Sequence, residues 1–399
     1  MNKLKNIVII NDFDYIQGGA SKVAIDTANK LCCDYKVYFF SGDTKETCSL
    51  DKKIIRICTN QGEIKKSKNK LIGAANGIYN FKAKKYLKKL LEKLNKEETI
   101  IHIHGWTKCL SSSVFDICWK MGFKVVLTLH DYFTACPNGG YFNYKENKIC
   151  NLKPLSLRCI TCNCDSKNYA FKLYRVIRQS VQNKVVKLND RLTDVISISS
   201  FSEKILKQTL NKDINIHRVY NPIDLDKKMI NIDYRKNNYY LYVGRISKEK
   251  GVETFCKTIT NLKLKGIVVG DGDERLKLQS KYQNVEFVGW KKSDDVKEYM
   301  KKAKALIFPS LWYEGAPLTP LEAMQYGVPL ISSECNAATD YINKNNGFIF
   351  KNDEELVEIL KKLEKNQLDP KKIKIPDEYL TDYLCCIIKA YNEVLYDCK

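Results

Sequence analysis

The sequence predicts an α/β protein made of two doubly wound domains, and three observations carry that expectation. Short apolar runs rich in Ile, Val, Phe and Tyr alternate with stretches of helical spacing along the chain, the pattern of parallel sheets covered by helices. At 399 residues the chain exceeds one ordinary core, so two domains of about 150–220 residues are expected. A turn-forming stretch, Val219-Tyr220-Asn221-Pro222-Ile223-Asp224, separates two such series.

Taken in order, strands are expected at 6–10, 36–40, 53–57, 100–104, 124–129 and 194–198 in the first domain. In the second they are expected at 239–243, 266–269, 285–288, 305–308 and 328–332. Domain boundaries follow at 1–220 and 221–375, with 376–399 as a closing element. Its Tyr383-Leu384, Ile387-Ile388, Tyr391 and Val394-Leu395 have the spacing of one helix face.

An apolar fraction of 44% is ample for globular packing. Lys3 and Lys5 precede only Ile7–Ile10, too short for a signal-peptide core and better read as a strand. No apolar run approaches the roughly 18 residues of a membrane span. A cytoplasmic protein is expected, with the inner face of a membrane as a further station. The formal charge of +21 is uneven: residues 1–200 carry 34 basic against 17 acidic groups, and residues 201–399 carry 33 against 29. Lys82–Leu94 spaces its apolar residues for one helix face and crowds the other with lysine. Docking on anionic headgroups is the preferred reading of that face; ordinary solvated lysines in a Lys-, Asn- and Ile-rich chain are the other. Nucleic acid is not expected, because the pattern is Arg-poor and dispersed and lacks a recognition helix or stacking platform.

The densest chemistry lies at Glu314-Gly315-Ala316-Pro317-Leu318-Thr319-Pro320-Leu321-Glu322, after the apolar run Ala305–Phe308. The pattern predicts strand, tight loop and a helix opening at Thr319 as N-cap with Pro320 in its first position. Free backbone N–H groups at such a helix start favour an anion, and carboxylates on either side suit hydroxyl groups attached to it. Phosphate with hydroxyls is what a nucleotide sugar presents. Two plainer readings stay open: Thr319 and Glu322 have the spacing of a capping box, and Glu314 suits a solvated loop. A second anion feature shifts the balance. Tyr239–Val243 ends at Gly244, and the following loop carries Arg245 and Lys250 before a helix at Val252. An Arg fork and a Lys point charge neutralise a diphosphate without metal. With 9 Arg among 67 basic residues, an Arg at a strand-end glycine reads as a functional group rather than decoration.

The run Gly244-Arg245, Glu249-Lys250-Gly251, Gly270-Asp271-Gly272, Val285–Trp290 and the paired glutamates resembles the nucleotide-binding domain of glycosyltransferase family 4. The resemblance is close over about 237–350 and looser in the first half, at Gly18-Gly19-Ala20, Ile101–Gly105 and Thr128-Leu129-His130-Asp131. Pro222 departs from the Asn-Gly usual at the junction in that family. The resemblance implies the GT-B fold, two Rossmann-like domains facing across a cleft, and transfer of a sugar with retention of configuration. It implies that Arg245 and Lys250 hold the diphosphate with the amides of Leu318 and Thr319. Glu322 would bind the ribose, Glu314 the sugar near the reacting carbon, and Val288 would lie by the base. Gly18 and Gly19 would let main chain approach the donor, and His130 would face the sugar or acceptor. His104 is placed in the cleft or in the core with equal reason. No residue stands out as a base, so the leaving phosphate is expected to deprotonate the acceptor.

The partners expected are a nucleoside-diphosphate sugar of UDP or GDP type, a glycan or lipid-linked saccharide acceptor, and an anionic membrane surface. No cofactor is expected to be required for catalysis. Asp12-Phe13-Asp14 and Asp271-Gly272-Asp273 invite a competing metal-dependent transferase, on a pattern that chance supplies often. A sugar-nucleotide epimerase of the same architecture and a non-catalytic binder of sugar nucleotide or anionic lipid are the other classes. Of 16 cysteines, five fall within 136–164. Cys159 and Cys162 have knuckle spacing, and Cys136 with Cys150 would complete a structural zinc site in a flap over the acceptor side; scattered buried thiols are the equal alternative.

Overall fold

The computed structural model describes residues 4–45, 49–223 and 232–396. The first sheet draws on β1 (Asn6–Phe13), β2 (Lys36–Asp43), β3 (Ile55–Cys58), β4 (Thr99–Ile103) and β5 (Lys124–Thr128). After a two-stranded hairpin of β6 (Phe142–Asn143) and β7 (Lys148–Ile149), it gains β8 (Asp194–Ser197) and β9 (Asn215–Arg218). Its order is β3-β2-β1-β4-β5-β8-β9 and every pairing is parallel. The second sheet comprises β10 (Tyr239–Val243), β11 (Gly266–Val269), β12 (Val285–Gly289), β13 (Ala303–Phe308), β14 (Leu330–Ser333) and β15 (Gly347–Phe350). Its order, β12-β11-β10-β13-β14-β15, is again wholly parallel. Both sheets run outward from their first strand in two directions, so each has a switch point between its first and fourth consecutive strands, where ligands of open α/β sheets bind.

The strands form where apolar runs are buried on both faces, as parallel strands require. Residues 7–13 of β1 and all six of β13 are buried. The strands that the sequence analysis did not anticipate are weaker. β9, Asn-Ile-His-Arg, and β15, Gly-Phe-Ile-Phe, are edge strands with mixed exposure, and the β6–β7 hairpin has two residues on each side.

The helix Tyr383–Tyr396 packs on the first sheet rather than the second. Its Ile387, Tyr391, Val394 and Leu395 join Ile7, Ile9, Phe39 and Ile100 in one buried cluster. The junction expected at 219–224 has Val219 in that cluster and the Tyr220 ring 4.3 Å from Tyr379; residues 224–231 lie outside the described residues. Among the described residues no helix is long and apolar enough to cross a membrane.

His217 on β9 ties the closing helix down, with Nδ1 3.0 Å from Glu393 Oε2 and Nε2 3.1 Å from Asp194 Oδ1. The hydrogen bond to Asp194 raises the His217 pKa, burial opposes it, and Glu393 adds to the rise. A raised folded pKa stabilises fully below the unfolded value of about 6.5 and ceases to do so as pH climbs through the folded value. The gap in unfolding temperature between the native protein and His217→Gln should therefore narrow as pH rises above about 6.5; a gap that stays constant or widens contradicts the assignment.

Candidate active site

The switch point of the second sheet brings together the loops after β10 and β13. Past Gly244, Arg245 forms an ion pair with Glu249 at 2.6 Å, and Glu249 is buried. The main-chain oxygen of Glu249 accepts from Leu311 N at 2.8 Å, which fastens one loop to the other. Five residues beyond Arg245, Lys250 Nζ is bound to Glu314 Oε1 and sits 5.1 Å from the Trp312 ring centroid. Glu314 Oε1 also accepts from Ser310 Oγ at 2.9 Å and Trp312 Nε1 at 2.8 Å. The β11 loop lies alongside. At Gly270, φ is +144° and any Cβ would collide with the Gly244 carbonyl, so only glycine serves there.

A cavity of about 550 Å³ opens beside these loops, within the range of small-molecule sites. Arg245 and Glu322 line it together, with Gly244, Gly270, Asp271 and Trp290. Lys22 reaches it from the first domain. Its charged lining is Lys22, Arg245, Lys291 and Lys297 against Asp271 and Glu322, which favours an anion. Lys22 stands in the first turn of the helix Gly19–Leu31 and pairs with Asp26 at 2.9 Å. The space above Gly18 and Gly19 is open, so a ligand meets bare main chain there.

The first domain closes the other side through Glu314's own segment. Gly315 lies against the His130 carbonyl, where an added Cβ would come within 3.2 Å, and its oxygen accepts from Ser199 Oγ. Tyr313 packs among Tyr132, Tyr141 and Phe201, with ring centroids 5.9, 6.1 and 5.5 Å away. His130 Nε2 is 2.9 Å from His104 Nδ1. Burial holds His130 down at about 4 and, with the neighbouring imidazoles, His104 well below its usual value. Burial pushes Asp131 up to about 6, against the pull of the Phe133 amide.

Several expectations need correction. The helix runs Leu318–Met324 with Pro317 at its N-cap, so Thr319 is inside it and is not a cap. Pro320 falls in the third position, where the first turn still needs no amide donor. Thr319 out of the cap removes the capping-box reading of Glu322, while the amides of Leu318 and Thr319 stay at the helix start. The Val288 side chain packs partly buried against the core, which does not bear on the main-chain contact expected of it, and Trp290, two residues on, lines the cavity. In the insertion, Cys136, Cys150, Cys159 and Cys164 line a small cavity of about 10 Å³ together with buried Lys172. Cys162 is outside that lining and accepts from Asn143 Nδ2 at 3.7 Å, because the chain turns away after Thr161. Among the described residues no three Cys, His, Asp or Glu side chains stand together as a metal-ligand group. The Asp-x-Asp strings are engaged in structure. Asp12 accepts the amides of Lys108, Cys109 and Leu110, Asp14 pairs with Arg56 at 2.7 Å, and Asp271 with Arg275 at 3.1 Å. Lys22, Ser199, Ser310, Trp312 and Tyr313 were not anticipated, and Trp290 only as the end of the Val285–Trp290 run; Lys22 had a signal, one turn beyond the paired glycines.

Two six- and seven-stranded Rossmann-like sheets joined by a closing helix that returns to the first define the GT-B fold. Residues 226–376 match the family model described as "Glycosyl transferases group 1". Over 183 residues the chain is 28% identical to a Campylobacter jejuni α-1,4-N-acetyl-D-galactosaminyltransferase acting on an undecaprenol-linked saccharide, covering 43% of this chain and 50% of that one. Over 153 residues it is 33% identical to the lipopolysaccharide 1,6-galactosyltransferase of Salmonella typhimurium, covering 34% and 41%. The chain thus spans about half the length of the curated relatives it matches. Among solved structures it is similar to the lipopolysaccharide outer core galactosyltransferase WaaB, with TM-score 0.59, 20% identity and coverage of 98% and 99%. It is likewise similar to Anabaena Alr3699/HepE in complex with UDP-glucose, with TM-score 0.62, 14% identity and the same coverage.

Proposed function

We propose that the protein is a retaining glycosyltransferase that moves a sugar from a UDP- or GDP-type donor to a glycan acceptor, lipid-linked, in the making of a surface polysaccharide. One observation carries this: Arg245 and Glu322 line a cationic cleft shared with Lys22, and the Arg245 loop continues to the Lys250–Glu314 pair at the sheet's switch point. Arg245 and Lys250 take the diphosphate, and Glu322 takes ribose hydroxyls. Glu314 takes sugar hydroxyls, and the amides of Leu318 and Thr319 add donors. His130, neutral and weakly basic, is a poor base, which leaves deprotonation of the acceptor to the departing phosphate. The same grouping neutralises the leaving group without a metal. The relatives that match act in lipopolysaccharide and lipid-linked saccharide assembly, and that supports the acceptor class.

A lipid surface suits the first domain. Leu71 is 83% exposed, Ile72 57% and Phe81 73%, with Lys68, Lys70, Lys82 and Lys85 exposed around them. Leu87, Leu90 and Leu91 anchor the helix Phe81–Leu91 inward. Apolar tips ringed by ammonium groups fit an anionic bilayer, at the inner face of a membrane. A structural zinc in the insertion is a separate proposal: Cys136, Cys150, Cys159 and Cys164 line one small cavity, and the metal would have to draw them together and displace the Lys172 ammonium that lies against Cys159 and Cys164.

Labelled UDP- and GDP-sugars offered with and without glycan acceptor separate the classes. Acceptor-dependent transfer that survives chelator is expected, whereas isomerisation without acceptor, or binding alone, overturns the reading. Arg245→Ala and Glu314→Gln should each lower kcat/KM by about 100-fold, the effect of one lost stabilising contact; if both variants keep full turnover, the site is misassigned. In flotation, vesicles containing phosphatidylglycerol should carry the protein at low salt and release it at high salt, and the double variant Leu71→Ser, Ile72→Ser should bind less. Equal behaviour on neutral vesicles sinks the membrane proposal. Metal analysis of chelator-free protein should find one zinc, lost in Cys159→Ser and kept in Cys162→Ser; metal-free protein refutes it.

A further inference from the structure

Three histidines stand side by side in the first domain. His102 lies on β4, His104 follows it, and His130 follows β5. The His102 and His104 rings are 4.0 Å apart between centroids, and the His104 and His130 rings 5.1 Å. His102 has both nitrogens engaged, Nδ1 with Tyr391 OH at 2.6 Å and Nε2 with Thr128 Oγ1 at 2.7 Å. It therefore has nothing to offer His104. His104 is 2% exposed and spends Nδ1 on His130 Nε2 at 2.9 Å. Its Nε2 is buried without a hydrogen-bond partner.

Between two neutral imidazoles that contact holds one proton, and its place decides which atom of His104 is left over. If His130 Nε2 carries it, His104 must bear its own proton on Nε2, where a buried N–H would point at nothing. If His104 Nδ1 carries it, the leftover is a bare lone pair. Orphaned buried N–H groups are the rarer and costlier of the two. Neutrality itself follows from burial, which disfavours the charged form of both rings.

We infer that His104 is a positioning residue that locks His130 as the tautomer protonated on Nδ1, so that His130 meets a cleft ligand as a hydrogen-bond donor and not as a base. The complementary group is an oxygen with a free lone pair, a hydroxyl oxygen of a sugar; only the identity of that ligand rests on the function proposed above. His130 is half-buried, with its carbonyl against Gly315, next to Glu314. One sugar would thus receive a donor from the first domain and an acceptor carboxylate from the second.

The full chain has four histidines, so histidine-labelled protein gives four ring systems in a long-range ¹H–¹⁵N correlation spectrum. Assigned with His104→Asn and His217→Gln, the ligand-free native protein should show His130 with a pyrrole-type Nδ1 and a pyridine-type Nε2 at neutral pH. The reverse pattern, or an imidazolium, overturns the inference whatever the enzyme does. A second arm uses turnover. His104→Asn keeps an amide N–H where Nδ1 stood and should hold kcat/KM near the native value. His104→Asp can only accept, forces the His130 proton onto Nε2, and should lower kcat/KM about tenfold, the worth of one hydrogen bond. UDP and GDP, which lack the sugar, should bind both variants as they bind the native protein. Equal losses in the two variants contradict a donor-setting role. A native protein that turns over no donor refutes the functional reading and leaves the spectrum to judge the tautomer.

Discussion

The contact on which the site depends is the seat of Gly315 against the His130 carbonyl. No side chain fits between them without displacement, since a Cβ would come within 3.2 Å. Ser199 closes the seat by donating to the Gly315 oxygen, and Tyr313 fills the aromatic cluster beside it. A segment of the second domain is therefore gripped by the first. Glu314, between Tyr313 and Gly315, gets its position from both. The cation it holds, Lys250, belongs wholly to the second domain, whose loop is fixed by the Glu249–Leu311 hydrogen bond. The ion pair thus reports the relative placement of the two domains, and a small shift of either would separate acid from base.

Both principal cations are paired within the second domain, Arg245 with Glu249 and Lys250 with Glu314. Under the function proposed above, a diphosphate would have to compete with these carboxylates. Glu314 also accepts from the Ser310 hydroxyl and the Trp312 indole, so its partly buried carboxylate does not rest on Lys250 alone. A binding site with bare lysines would attract anions more strongly but would repel itself when empty.

Much of this was legible in the sequence, for reasons that particular residues make plain. Strands such as Ile7–Ile10 and Ala305–Phe308 announce themselves because burial on both faces demands an unbroken apolar run. Gly270 and Gly244 were legible because main chain approaches main chain there. β9 and β15 were not, since edge strands tolerate polar residues such as Asn215 and Arg218. The start of the helix at Leu318 was read too late, because Thr-Pro imitates a cap one residue inside a helix whose N-cap position is held by Pro317. The pairings Gly315–His130, Tyr313–Tyr132 and His104–His130 join residues far apart in sequence, and a linear pattern holds no trace of them. The same holds for the exchange of Cys162 for Cys164, which depends on how the chain turns after a five-residue helix.

The Cys-rich insertion belongs to this arrangement and is not an ornament beside it. Its Gly140 lies against the Trp312 ring, where a Cβ would come within 3.2 Å, and Trp312 is a donor to Glu314. Arg178 holds Pro137 by its carbonyl at 2.9 Å, while Gln179 and Gln182 fix the carbonyls of Thr134 and Phe133. Behind them Lys172 places its ammonium 3.5 and 3.3 Å from the sulfurs of Cys159 and Cys164, so the thiol cluster braces the helix that carries these donors. Force applied to the insertion passes through Gly140 and Trp312 to Glu314. The insertion is thereby joined through Trp312 to the Glu314 carboxylate, and the ordering of one constrains the other.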